Sequence, residues 1–164
     1  MTQVAVIADT HMPRGSRRLP ADCVRRLQSA DVILHAGDHV AASFLEELRA
    51  LGPPLAAVHG NADDAELQQL LPARRVVDLG AVRIGLTHEP GARVRRLERL
   101  VEAFPGCAAV VYGHTHQPAV ERHEDVWLLN PGSPTERRRA PTRTTLELDV
   151  VDGRIAPTLV ELHA

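Results

Sequence analysis

Asp9, His11, Asp38, Asn61, His88, His114 and His116 each sit directly after a short apolar run, and they comprise carboxylates, imidazoles and one amide. These are the oxygen and nitrogen donors that divalent first-row metals take. No cysteine lies among them, which argues against a thiolate site or an iron–sulfur cluster. A single Asp or His after a strand is commonly a cap or a loop hydrogen bond, and Asn61 alone would be a turn residue. Five short signals in one order, Asp9-Thr10-His11, Gly37-Asp38, Gly60-Asn61, Thr87-His88 and Gly113-His114-Thr115-His116, form a pattern that chance rarely assembles. Seven donors exceed one tetrahedral site. Two ions sharing one carboxylate would account for the number, at the ~3.5–4 Å separation of two-metal hydrolases.

The apolar runs predict the elements that hold these residues. Gln3 to Ala8, Asp31 to Ala36 and Leu55 to His59 read as strands, with helices between them over Ala21 to Ala30 and Ala41 to Leu51. Strand-helix-strand order with short connections predicts parallel strands joined by right-handed crossovers. Further on, Arg75 to Leu79 and Val82 to Thr87 read as a hairpin across Gly80-Ala81, followed by a helix over Ala92 to Phe104 and a strand over Ala108 to Tyr112. Pro118 to His123, Val126 to Leu129, Thr144 to Val151 and Arg154 to Leu162 complete the set, the last two joined by an Asp152-Gly153 turn. The expected architecture is α/β, with two sheets packed on each other and helices outside. In open α/β sheets the carboxyl ends of strands face the crevice where ligands bind, so the seven donors should converge.

Composition narrows the function. At 164 residues the chain has room for one domain spanning 1–164 with a sizeable core, and its apolar fraction of 44% is that of a folded soluble protein. The longest apolar runs are strand-sized, so no membrane span is expected. Met1-Thr2-Gln3 leads straight into a strand without a basic region or cleavage site, which predicts a cytoplasmic protein. All nineteen cationic side chains are arginine, which excludes lysine Schiff-base and P-loop chemistry. A net charge of −2 and only four aromatic residues, Phe44, Phe104, Tyr112 and Trp127, argue against nucleic acid as a specific partner.

On those five blocks the chain resembles the calcineurin-like metallophosphoesterase superfamily. Asn130-Pro131-Gly132-Ser133 adds a resemblance to its small, single-domain YfcE-like phosphodiesterase branch, from Val4 to about Glu147. The resemblance implies a four-layer α/β/β/α sandwich of two mixed sheets. It implies that Asp9, His11 and His116 hold one metal, that Asn61, His88 and His114 hold a second, and that Asp38 bridges them. Asp38, Asn61 and His114 are the implied catalytic residues, and a hydroxide between the ions is the implied nucleophile on a phosphate ester, most readily a diester. Mn²⁺ is the first expectation, with Ni, Co, Fe or Zn depending on supply. Family precedent also implies a homodimer or larger assembly. A eukaryotic retromer subunit of this fold supplies the alternative, a protein-binding scaffold, but scaffolds tend to lose ligand residues and here all seven positions carry competent donors.

The chain departs from the family pattern at Ala62, where many members carry a histidine that protonates the leaving group. Losing a general acid costs about 10²–10⁴-fold, most for poor leaving groups. The expectation is a preference for aryl or otherwise activated diesters, or an acid borrowed from His39 or His59, both of which flank metal blocks and could contact substrate phosphate. Asp63 has two readings, an acceptor supporting Asn61 or a ligand imidazole, or a helix cap together with Asp64. Asn130 reads either as a plain turn residue or as a brace for the Gly113–His116 loop. His35, inside an apolar strand, is expected to be a hydrogen-bonded core histidine. Arg137-Arg138-Arg139 reads as a solvated run in a mobile loop, or as an anion contact. Cys23 and Cys107 are expected to be inert, buried thiols.

Overall fold

The computed structural model describes residues 1–163. The elements follow in the order β1 (Thr2–Ile7), α1 (Ala21–Ser29), β2 (Val32–His35), α2 (Ala42–Arg49), β3 (Leu55–Ala57), α3 (Ala65–Leu70), β4 (Arg74–Leu79), β5 (Val82–Thr87), α4 (Arg96–Ala103), β6 (Ala109–Val111), β7 (Ala119–His123), β8 (Val126–Asn130), β9 (Arg143–Val151) and β10 (Arg154–Leu162). One sheet has the order β10-β9-β1-β2-β3 and the other β4-β5-β6-β8-β7. In each, three adjacent strands are parallel, β1-β2-β3 and β5-β6-β8, and antiparallel strands complete the sheet. These are two mixed sheets flanked by helices, the expected four-layer sandwich.

The layering follows from the two-residue period of a strand. Along β1, Val4, Val6 and Ala8 face the second sheet, where they meet Ile84, Leu86, Ala109 and Val111. The alternate residues Ala5 and Ile7 face outward and are covered by Cys23 and Leu27 of α1 and by Phe44 and Leu48 of α2. On the far side, Val110 and Tyr112 are covered by Leu100 and Phe104. Central strands buried on both faces read as unbroken apolar runs, which is why β1 and β6 carry no polar alternation.

Two elements depart from expectation. A short helix, α3, follows the Gly-Asn block; its six residues give too brief a pattern to declare a helix, yet Asp64 caps it by accepting from Leu67 N at 2.9 Å and Leu67 packs against Leu45, Ala57 and Leu71. The helix expected from Ala92 begins only at Arg96, because arginine side chains take the preceding carbonyls. Arg96 donates to Gly91 O and Arg99 to Ala92 O and Val94 O, while Arg95 adopts a left-handed φ of 52°. The Asp152-Gly153 hairpin forms as expected, both residues at positive φ (48° and 74°), the geometry of a type I′ turn.

Candidate metal centre

The parallel strands β1, β2, β3, β5 and β6 deliver all seven donors to one edge of the sandwich. The strand tips are tied to one another by main-chain bonds: Asp9 N donates to Gly37 O and His11 N to Asp38 O, each at 3.0 Å, and Gly113 N to His88 O at 3.1 Å. Five of the donors, Asp9, His11, Asp38, His114 and His116, occupy left-handed backbone conformations with φ between 47° and 71°. Non-glycine residues pay for that conformation, and such strain concentrates where structure serves a site. Two of the block glycines are required by contact: a Cβ on Gly60 would lie 2.1 Å from Asp38 Oδ1, and one on Gly37 2.7 Å from His88 Nδ1.

The donor atoms converge. Asp38 Oδ2 lies 3.7 Å from His11 Nε2 and 3.3 Å from His88 Nε2. His11 Nε2 and His116 Nε2 are 3.2 Å apart, and His116 Nε2 is 3.6 Å from Asp9 Oδ1. Asn61 Oδ1 contacts both His88 Nε2, at 3.0 Å, and His114 Nδ1, at 2.9 Å. Asp9, His11 and His116 form one group with metal-ligating spacing, and Asp9, Asp38 and His88 a second.

These residues fit divalent cations on three counts. His88 Nδ1 donates to Ala36 O at 2.8 Å and His116 Nδ1 to Glu136 O at 2.6 Å; a carbonyl can only accept, so in each ring Nε2 is the atom aimed at the cluster. Burial drives the His116 pKa down to about 4 and lowers that of His11, which keeps both rings neutral as ligands must be. Asp9 Oδ2 is buried without a hydrogen-bond partner, and burial pushes the Asp9 carboxyl up to about 7 against the pull of His88, so the protein alone leaves it uncompensated. Burial also opposes ionisation of Asp38, but His88, the Ala62 N–H and His11 outweigh it and bring that carboxyl down to about 2. Desolvation likewise disfavours charge on His88, whereas Asp38 and Asp9 raise its pKa.

The supporting residues resolve the readings left open by the sequence. Asp64 is the helix cap, whereas Asp63 accepts from the main chain of Asp38 (3.2 Å), Val40 (2.7 Å) and Gly60 (2.7 Å), so it fixes the bridging aspartate's loop rather than touching Asn61 or a ligand ring. His39 is fully buried, pairs with Asp63 at 3.3 Å and stacks on His35 at a ring separation of 3.6 Å; it does not line the open face. His35 is the expected core histidine, bonded to Thr10 Oγ1 and Gly37 N. His59 lines an open pocket with Asn61 and His88. Asn130 braces the His114–His116 loop, donating from Nδ2 to Gly113 O at 3.1 Å and Thr115 Oγ1 at 3.0 Å, while its Oδ1 accepts from Gly132 N.

Sequence reasoning missed Thr135, whose hydroxyl donates to Thr10 O at 2.7 Å, beside Ser133 Oγ donating to Asp9 O at 2.8 Å. The Asn-Pro-Gly-Ser turn was the only available signal for it. Cys23 and Cys107 are buried among apolar side chains, and burial raises the Cys23 thiol to about 12.

A two-sheet α/β sandwich with carboxylates and imidazoles gathered at its strand tips defines a metal-binding class of domain. The comparisons specify it further: the chain belongs to the calcineurin-like phosphoesterase superfamily, whose domain model matches residues 2–153. It is 35% identical over 150 residues to a probable metallophosphoesterase of Methanothermobacter thermautotrophicus, covering 89% of this chain and 86% of that one. It is 24% identical to a phosphodiesterase of Methanocaldococcus jannaschii, covering 79% of this chain and 82% of the relative. Wild-type Vps29 from Entamoeba histolytica, complexed with zinc, superposes with a TM-score of 0.76 at 25% identity, covering 97% and 98% of the two chains. Among the described residues no helix is long and apolar enough to cross a membrane.

Proposed function

We propose that the chain is a metal-dependent phosphodiesterase that holds two divalent ions, one on Asp9, His11 and His116, one on Asn61, His88 and His114, with Asp38 between them. The observation that carries this reading is the position of Asp38, whose one carboxylate oxygen is within 3.7 Å of a ring nitrogen from each group. Manganese is the first metal expected, since an oxygen- and nitrogen-donor set without thiolate suits it and leaves the identity to supply.

When bound, the ions neutralise charge on the phosphoryl oxygens and lower the pKa of a bound water toward 7. The chain's own residues do the rest. Asn61 and His114 are exposed and present the open face on which a phosphate group rests. Asp63 and Asn130 hold the two loops that carry Asp38 and His114 to fixed positions. Among the described residues both thiols lie away from the cluster, so the reading needs no side-chain nucleophile. Ala62 offers no proton to a leaving group, and buried His39 cannot replace it; His59, on the pocket wall, is the one flanking histidine able to approach a leaving oxygen.

The test is hydrolysis of bis-p-nitrophenyl phosphate against p-nitrophenyl phosphate by chelator-stripped protein with Mn²⁺ restored, with Asp38→Ala and His88→Ala in parallel. The expected outcome is metal-dependent diester cleavage that both substitutions abolish. Absence of turnover with Mn²⁺, Ni²⁺, Co²⁺ or Zn²⁺, despite bound metal, would replace this reading with that of a protein-binding scaffold.

A further inference from the structure

Beside the His114–Gln117 segment lies an open groove of about 960 Å³. Its wall carries four guanidinium groups, Arg93 and Arg96 from around the start of α4 and Arg138 and Arg139 from the loop beyond Ser133, against a single carboxylate, Glu121. That concentration is unexpected in a chain of net charge −2. The protein makes little use of these charges. Among the described residues Arg93, Arg96 and Arg139 have no carboxylate within ion-pair distance, and Arg138 reaches Glu136 only at 3.8 Å. Arg96 donates through Nη2 to Gly91 O, but its Nε is buried and has no partner. An unmade bond at a buried N–H carries a desolvation cost, and four like charges around one groove repel, so the arrangement favours an anion that none of the protein's own groups supplies.

The groove runs beside the candidate metal centre: Thr115 and Gln117, from the loop that carries His114 and His116, form part of its wall, and Arg138 lies two residues from Glu136, whose carbonyl holds the His116 ring. A second pocket, of about 830 Å³, adjoins the same centre on the Asn61 and His88 side, and there Arg74 and Arg99 are matched by Glu89 and Glu102. Only the His116 side is strongly cationic. Guanidinium forks pair bidentately with phosphate oxygens, and a phosphate monoester carries about −1.5 to −2 charges, enough to engage more than one of them.

We propose that the arginine groove binds a second phosphate group on the substrate, which makes the preferred substrate a small phosphodiester that carries a further phosphate. This deepens the phosphodiesterase reading and rests on it. Recognition of a long nucleic acid is a poorer match, since four aromatic residues in the whole chain offer no series of stacking platforms.

Two chromogenic diesters that differ in one group test it: thymidine 5′-(p-nitrophenyl phosphate) with and without a 3′-phosphate, both read by p-nitrophenol release from Mn²⁺-loaded protein. The 3′-phosphorylated compound is expected to show a kcat/KM higher by about tenfold or more, the worth of one or two charge-assisted contacts. In the double variant Arg93→Gln/Arg138→Gln, both positions being exposed, that ratio is expected to fall toward one. Calorimetric titration of chelator-stripped protein with inorganic pyrophosphate is expected to show binding in the native chain and none in the variant. Equal kcat/KM for the two diesters, or a preference that survives in the variant, would overturn the groove's role and leave the phosphodiesterase reading standing. Turnover of neither diester by metal-loaded protein that still binds pyrophosphate through these arginines would overturn the phosphodiesterase reading and keep the groove as a phosphate site.

Discussion

The inner half of the donor cluster, Asp9, His11 and His116, is sealed from solvent, whereas in the outer half Asn61 and His114 are exposed and only His88 is buried. The same residue types therefore work under different physics. In the inner half desolvation dominates: it lowers the pKa of both rings and raises that of the Asp9 carboxyl to about 7 against the pull of His88 and Arg138. In the outer half hydrogen bonding dominates, with Asn61 Oδ1 shared between two rings and His88 anchored from behind by Ala36 O. A buried charge deficit draws a cation in; an exposed, oriented donor set meets what arrives from solvent. On the proposed reading the inner half would retain an ion and the outer half would meet substrate.

Asp38 reaches a ring nitrogen in each half, His11 Nε2 at 3.7 Å and His88 Nε2 at 3.3 Å, so removing it should have the largest effect. Asp38→Ala is expected to lower diester turnover by about 10³-fold or more and to reduce bound metal per chain, read by elemental analysis after dialysis. An Asp38→Ala protein with native metal content would break the picture of two joined halves. The halves themselves are separated by a pair of substitutions. His116→Ala removes a buried ring and leaves Glu136 O without its donor, a cost of about 1–3 kcal/mol in urea unfolding of the metal-free protein. His114→Ala, at an exposed position, should change that stability by no more than about 0.5 kcal/mol while still suppressing turnover. Equal stability losses would erase the distinction between the halves.

Most of this site is legible in the sequence because the strands that carry it are buried on both faces. Such strands must be written as unbroken apolar runs, and where each run ends in Asp, His or Asn the change is abrupt, as at Ala8-Asp9 and Tyr112-Gly113-His114. The parallel order then places the tips together without further information. What could not be read are roles decided by main-chain contact. Asp63 and Asp64 are adjacent and identical in type, yet one binds the Asp38 loop and the other caps α3, a division set by where β2 and β3 bring their ends. His39 neighbours Asp38 in sequence but faces away from the open side, because its ring stacks on His35 and pairs with Asp63. The late start of α4 was hidden for a similar reason, since nothing in the spacing of Arg96 and Arg99 reveals that their side chains take the carbonyls of the preceding turn.

Asn130 sharpens the comparison from the outside, since its hydrogen bonds go to the loop that carries His114 and His116 rather than to a donor side chain. Asn130→Ala leaves Gly113 O, Thr115 Oγ1 and Gly132 N without their buried partner. Loosening His114 and His116 together should reduce turnover by about 10–100-fold, the usual cost of losing a group that orients ligands. Because metal restores part of the order, the loss should shrink as Mn²⁺ is raised, which a titration of rate against metal would detect. A loss independent of metal concentration would mean that Asn130 acts on folding alone.

The smallest effect is expected at Ala62, on the outer rim, where its N–H donates to Asp38 Oδ1 at 2.8 Å and its side chain contributes no acid. A p-nitrophenolate leaves without protonation, but an alkoxide does not, so the missing acid should be felt only with alkyl esters. Ala62→His is accordingly expected to raise turnover of an alkyl phosphodiester by about tenfold while leaving bis-p-nitrophenyl phosphate nearly unchanged. The gain should stay below the full range for general acid catalysis because the new ring lacks a partner to orient it. Since the Ala62 main chain already holds Asp38, a histidine here adds a proton donor without rebuilding the cluster, and the split between the two substrates isolates that donor from any change in metal binding. Equal changes on both esters would show that the outer half governs metal occupancy rather than the departure of the leaving group.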